Sequence, residues 1–221
     1  MTTLVKICGL STPETLDVAI DAGADMVGFV FFSASPRNVS LHTARELAAR
    51  VKARAEKVAL TVDADDAMLA NIVDILRPDL LQLHGKETPA RVGAIAQRFG
   101  LPVMKALAIE TKADLAAIPP YGKVADRLLF DARPPRDATR PGGLGTPFDW
   151  HLLENIALPV PFMLGGGLDP GNVAEALRIT QAPAVDVSSG VERAPGEKDP
   201  EKIRAFIHAA RASHAAGMPV G

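Results

Sequence analysis

One cysteine, Cys8, stands among 221 residues, and its position suits a reacting group. It closes the apolar run that starts at Leu4 and precedes Gly9, so a strand ends in a thiol and then turns. A free cysteine often packs as an inert small hydrophobe, whereas a thiol at a strand rim can act as base or nucleophile once ionised. Asp63, His84 and Asp131 hold comparable places at the ends of apolar runs. Asp63 heads Asp63-Ala64-Asp65-Asp66, which reads as helix capping rather than chemistry. His84 either contacts a ligand or caps its strand, and Asp131 precedes a long segment able to fold over a ligand. Arg37, after the turn Ser35-Pro36, can pair with a carboxylate in fork geometry or stand as a solvated loop charge.

Two glycine-rich stretches point to a phosphate. Leu164-Gly165-Gly166-Gly167-Leu168-Asp169-Pro170-Gly171-Asn172 is one, and Asp186-Val187-Ser188-Ser189-Gly190-Val191-Glu192 is the other. Glycine lets backbone amides approach a ligand with no Cβ in the way. Ser188 and Ser189 add hydroxyl donors, and a short helix near Gly190 would aim its positive end inward. Tight turns alone would also explain the glycines, but the two loops agree with the usual phosphate cup of a barrel.

The elements that must position these groups alternate short apolar strands with amphipathic helices. Strands are expected at 4–8, 26–32, 58–62, 80–84, 103–109, 127–131, 161–165 and 184–187. Their helices are expected from Pro13 to about Ala22, then at 41–54, 65–76, 88–98, 112–118, 148–155, after Asp169-Pro170, and at 200–213. Near-continuous apolar strands such as 26–32 suit a parallel sheet covered on both faces. Eight such units predict an α/β protein, a single (β/α)8 TIM barrel domain over 1–221 with a frayed tail. A doubly wound sheet would more often carry five or six units. In the barrel, the C-terminal strand ends share one rim: Cys8, Phe32, Asp63, His84, Ile109, Asp131, Gly165 and Val187.

Bulk properties bound the partners. A hydrophobic content of 48% suffices for one core, and a net charge of -2 lacks the basic stripe of a nucleic-acid binder. A lone cysteine excludes an intrachain disulfide and fits a reducing compartment, so a cytoplasmic location is expected. No run approaches the roughly 20 apolar residues of a membrane helix, and no signal-peptide core is apparent. No His, Cys and carboxylate cluster suggests a metal, and no cofactor is expected. Whether the chain is a monomer or a homodimer is left open.

Several motifs together give the chain a family likeness. They are Lys6-Ile7-Cys8-Gly9, Gly28-Phe29-Val30-Phe31 with Ser35-Pro36-Arg37, Leu81-Gln82-Leu83-His84-Gly85, and Asp131. The Gly142-Gly143 loop with Phe148-Asp149-Trp150, both glycine stretches, and Gly196-Glu197-Lys198-Asp199 complete the set. The chain resembles the phosphoribosylanthranilate isomerases of tryptophan biosynthesis nearly from end to end. It departs from them at Gly165, where alanine is more usual, and at Leu144, where a hydroxyl residue is. The resemblance implies an Amadori rearrangement with Asp131 as acid and Cys8 as base. It also implies that Arg37 pairs with the anthranilate carboxylate and that His84 and Asp186 lie near the ligand. Phosphate is expected on Gly166, Gly167, Ser188, Ser189 and Gly190. An ordinary aspartate titrates near 3.9 and a cysteine near 8.5. Burial beside an anionic substrate is therefore expected to raise the acid, and a local positive potential to lower the thiol. Lys6 is left out of that field on the ground that neighbouring strand residues point to opposite faces. A histidine-pathway isomerase should carry an aspartate in place of Cys8, and a sugar-phosphate sensor should have lost Cys8 or Asp131.

Overall fold

The computed structural model describes residues 2–133, 142 and 147–215. Eight parallel strands close into a barrel in sequence order: β1 (Leu4–Cys8), β2 (Met26–Phe31), β3 (Glu56–Thr61), β4 (Leu80–Leu83), β5 (Val103–Ile109), β6 (Arg127–Ala132), β7 (Phe162–Leu164) and β8 (Ala184–Val187). Closure is made by β1, which pairs with β2 on one side and β8 on the other, so that Lys6 lies opposite both Met26 and Asp186.

The helices between them are α1 (Pro13–Asp21), α2 (Leu41–Val51), α3 (Asp66–Leu76), α4 (Pro89–Phe99), α5 (Ile118–Tyr121), α6 (Val173–Thr180) and α7 (Pro200–Ala215). The first four begin at side-chain caps: Thr12, Ser40, Asp65 and Thr88 accept from amides three residues on. The α2 helix stops three residues before the expected end, because Lys52 and Ala53 take left-handed conformations.

Strand alternation divides the buried residues into two sets. One set, including Val5, Ile7, Val27, Phe29 and Phe130, packs against the helices. The other fills the barrel with Met26, Val58, Leu80, Met104, Ala106, Leu129, Met163 and Ala184. Two residues further along the inward parity come Lys6, Gln82 and Asp186, and above these the pocket.

Other elements also differ from the sequence expectation. The helix expected at 112–118 is a 3-10 helix, Lys112–Ala117, that runs directly into α5. The helix expected at 148–155 is a single 3-10 turn, Trp150–Leu153, capped by Asp149. Leu153 is the fully buried residue of that turn, and Phe148, Trp150, Leu152, Ile156 and Leu158 pack half-buried around it. After β8, where no strand was expected, β9 (Glu192–Ala194) and β10 (Glu197–Lys198) form an antiparallel hairpin. Its turn holds Pro195-Gly196, with Gly196 at φ +85°.

Candidate active site

A pocket enclosing about 460 Å³, its open mouth included, lies at the C-terminal ends of the strands. Of the predicted site residues it is lined by Cys8, Arg37, His84, Asp131, Asp186 and Ser188. Val30, Phe32, Leu60 and Val62, on and just beyond β2 and β3, form an apolar wall that continues from Cys8. Gly166, Gly167, Ser189 and Gly190 are absent from that lining and sit in the two adjoining loops. Asp63 is elsewhere: its amide donates to Glu87 and its Oδ1 accepts from the Lys86 amide, which ties the β3 loop to the β4 loop.

The thiol of Cys8 is buried beside a cation that was discounted from the sequence. Lys6 and Cys8 are two residues apart, not adjacent, so the pleat puts both on the inner face. The Lys6 ammonium is fully buried, donates to Asp186 Oδ1 at 2.8 Å and lies near enough to the thiol to favour its ionised form. Gly28 makes the room: a Cβ there would stand 3.0 Å from the Cys8 Sγ and 3.2 Å from the Lys6 Cε. Burial pushes the Cys8 thiol up, Lys6 and Lys198 oppose this, and Asp186 adds to it. The expected lowering is thus reversed, because desolvation outweighs both cations. Burial would by itself lower Lys6, but Asp186 and Cys8 outweigh it and raise this ammonium.

Across the barrel, Asp131 at the end of β6 is held from both sides. Its Oδ1 accepts from the Ala132 amide at 2.8 Å, and its Oδ2 lies 3.1 Å from His84 Nε2. Gln82, two residues below His84 on β4, has its Nε2 at 3.0 Å from His84 Nδ1. An amide nitrogen can only donate, so this contact puts the ring proton on Nε2, facing Asp131. Gly142 and Gly166 pack against the carboxylate: a Cβ at either would come within 2.6 and 2.9 Å of its oxygens.

The two glycine loops meet each other. Gly166 and Gly167 are left-handed, at φ +78° and +70°. Asn172 fixes their loop by donating to the Gly167 carbonyl and accepting from the Asp169 amide. A Cβ on Gly190 would fall 1.9 Å from the Leu168 carbonyl oxygen, so the β8 loop sits directly on the β7 loop. Among the described residues, the amides of Gly166, Gly167, Ser189 and Gly190 have no acceptor. Ser188 differs from expectation: its hydroxyl donates to the Cys8 carbonyl at 3.1 Å instead of standing ready for a ligand. The helix expected near Gly190 is one 3-10 turn, Ser189–Val191.

Arg37 is buried, with side-chain exposure of only 4%, rather than solvated. Its Nε and Nη2 donate to the two Glu192 oxygens at 2.7 and 2.8 Å. Lys198 donates to the same carboxylate at 2.8 Å and to the Ser188 carbonyl at 2.8 Å. Burial would raise the Glu192 carboxyl, but Arg37 and Lys198 outweigh it and hold it low. Burial, with Arg37 nearby, brings Lys198 down to about 8 against the pull of Glu192. Glu192, Lys198 and Gln82 belonged to recognised motifs but carried no assigned role. Gly143 and Leu144 lie outside the described residues.

Residues 5–209 match the N-(5'-phosphoribosyl)anthranilate (PRA) isomerase family. N-(5'-phosphoribosyl)anthranilate isomerase of Rhodopseudomonas palustris (strain BisB5) is 68% identical over 96% of this chain and 98% of its own. The crystal structure of phosphoribosyl anthranilate isomerase from Thermotoga maritima superposes with a TM-score of 0.86 at 33% identity, covering 95% of this chain and 99% of that one. A further phosphoribosyl anthranilate isomerase, in complex with reduced 1-(o-carboxyphenylamino)-1-deoxyribulose 5-phosphate, gives 0.81 at 31% identity, with the same coverage of 95% and 99%. With its barrel, its rim of acid and thiol, and a match along almost its whole length, the chain belongs to the N-(5'-phosphoribosyl)anthranilate isomerase family.

Proposed function

We propose that Cys8 and Asp131 carry the two proton transfers of the reaction this enzyme catalyses in tryptophan biosynthesis. That reaction is the Amadori rearrangement of N-(5'-phosphoribosyl)anthranilate to 1-(2-carboxyphenylamino)-1-deoxyribulose 5-phosphate. The observation that carries this reading is their joint presence in one pocket, on β1 and β6, with β8 and β7 between them. A substrate lying across the mouth then meets one group on each side.

Asp131 protonates the furanose ring oxygen. The C1'–O bond breaks as the anilino nitrogen lone pair forms a C1'=N double bond. The His84 N–H, aimed at Oδ2, steadies the carboxylate that is left. The Cys8 thiolate then removes the C2' proton, and the electron pair moves into C1'–C2' and neutralises the iminium as an enolamine. Tautomerisation gives the C2' ketone. Because burial raises the thiol, it must first give its proton to solvent through the pocket mouth, and Lys6 and Lys198 limit the cost of the thiolate that remains.

Recognition divides along the pocket. Amides of Gly166, Gly167, Ser189 and Gly190 take the phosphate, with Ser188 shaping the loop through the β1 main chain. The apolar wall from Val30 to Val62 takes the aromatic ring. Arg37, Lys198 and Glu192 carry a net charge of one positive unit, which a carboxylate on the ring neutralises. Asp186 acts from beneath by holding Lys6. The ligand of the solved relative joins these three chemical ends in one molecule, in keeping with this order. The single cysteine and the thiol chemistry favour a cytoplasmic location.

Substrate carrying deuterium at C2' tests the base. Wild-type enzyme and Cys8→Ser should both turn over more slowly on it, with Cys8→Ala reduced about 10²–10⁴-fold on either isotopologue. Turnover by Cys8→Ala close to wild type would remove Cys8 from the mechanism.

A further inference from the structure

The hairpin of β9 and β10 lends charge to these steps, and its two buried ionic groups at the pocket's edge also make contacts that charge alone does not require. Glu192 opens β9 and Lys198 closes β10; their side chains are only 4% and 1% exposed. Glu192 binds the Arg37 fork through both oxygens, and Gly196 in the turn donates its amide to Oε2 at 3.2 Å. The turn is pressed against the loop that carries Arg37: a Cβ on Gly196 would meet the Pro36 carbonyl oxygen at 2.6 Å. From the other side, Lys198 reaches both the Ser188 carbonyl and, at 3.3 Å, its hydroxyl.

We propose that Glu192 and Lys198 are positioning residues: Glu192 fixes the plane of Arg37 for the substrate's ring carboxylate, and Lys198 ties that end of the pocket to the Ser188 loop of the phosphate cup. A guanidinium is a planar fork whose value depends on orientation. Left alone on a long side chain, Arg37 would lose rotamer freedom each time it met a ligand, whereas a carboxylate gripping its Nε–Nη2 edge imposes that loss in advance. A carboxylate alone would cancel the charge it positions. Lys198 restores one net positive unit, so the cluster still favours a second carboxylate. The inference rests on the reading of Arg37 as the carboxylate contact.

Two inhibitors test it: reduced 1-(o-carboxyphenylamino)-1-deoxyribulose 5-phosphate and its phenylamino counterpart without the carboxylate. The readout is the ratio of their inhibition constants. Glu192→Gln should shrink the ratio about tenfold or more, as expected for a weakened charge-assisted contact. It should leave the inhibition constant of the phenylamino compound within about threefold. Combined with Arg37→Ala, it should cause no further loss on the carboxylated compound, since a residue acting through Arg37 has nothing left to position. Lys198→Gln should weaken both inhibitors, because it releases the phosphate loop as well, and it serves if Glu192→Gln does not fold. An unchanged ratio in Glu192→Gln, additive losses in the double variant, or unaltered binding of both inhibitors by Lys198→Gln overturns the proposal. If Arg37→Ala itself keeps the wild-type ratio, the reading of Arg37 fails and the inference with it. If Arg37→Ala collapses the ratio and Glu192→Gln does not, only the inference fails.

Discussion

Gly190→Ala is the sharpest probe of the phosphate cup. Gly190 does not have a positive φ, so alanine brings no backbone strain of its own, unlike any residue placed at the left-handed Gly166. The added methyl would lie 1.9 Å from the Leu168 carbonyl oxygen and 3.0 Å from the Asp169 Cα, and real Cβ atoms essentially never come within 3.0 Å. The two loops must therefore part by about 1.1 Å, and the obstacle is main chain, which has no rotamer to change. An amide hydrogen bond of about 2.9 Å does not survive such a shift. Losing the bonds from Ser189 and Gly190 to a phosphate, at about 1.5–3 kcal/mol each, predicts a rise in KM of roughly 10²- to 10⁴-fold. Inorganic phosphate should lose potency as a competitive inhibitor in parallel, while kcat at saturation falls far less. Gly165→Ala is the control: its nearest neighbours would be at 3.5 Å or more, an ordinary contact, so KM should stay within about twofold. A folded Gly190→Ala enzyme with unchanged KM and unchanged phosphate inhibition would refute the cup.

Other perturbations reach the remaining groups. Asp131→Asn should lower kcat about 10²–10⁴-fold, while the inhibition constant of the carboxylated inhibitor moves little; comparable losses in both would make Asp131 a binding residue. Since burial holds the Cys8 thiol above its usual range, alkylation by iodoacetamide should accelerate about tenfold per pH unit well past pH 8.5. In Lys6→Met the rise should move to still higher pH, and a rate already level at neutral pH would show an ionised thiol. Glu192 is held below the ordinary carboxyl range, so its stabilisation is complete above the unfolded value and is lost as pH falls through the folded one. Urea unfolding at about pH 6 and about pH 3 should accordingly show a smaller acid loss in Glu192→Gln than in wild type, and an equal loss would mean that the carboxylate is not held low.

Cys8, His84 and Asp131 were legible because a parallel barrel collects its strand ends on one rim, and apolar runs mark where the strands stop. The glycine loops were legible because the residues themselves report close backbone approach. Lys6 lay equally open to inspection, and was lost only through misjudging the parity between positions 6 and 8. Arg37 could not be read fully: its partner Glu192 is 155 residues away, and a local motif says nothing about which carboxylate a folded chain will bring to it. The sign of the thiol's shift depended on burial, which competes with the cations and is a property of the closed pocket. The 3-10 turn at Trp150 escaped because Phe148, Leu152, Leu153 and Ile156 do fit a helical face, and the period alone does not fix how many turns form.

Cys8 sits on the first strand and its immediate supports on the last. Lys6 meets Asp186, and Ser188 meets the Cys8 carbonyl, each across 180 positions of sequence. A growing chain therefore carries its thiol from the outset but cannot furnish the thiol's surroundings until β8 has been synthesised and has docked on β1. Contacts so distant in sequence close late, after the local β–α units have formed. In a refolding experiment, helical signal should return before turnover does, and the interval between them times the closing of the barrel seam.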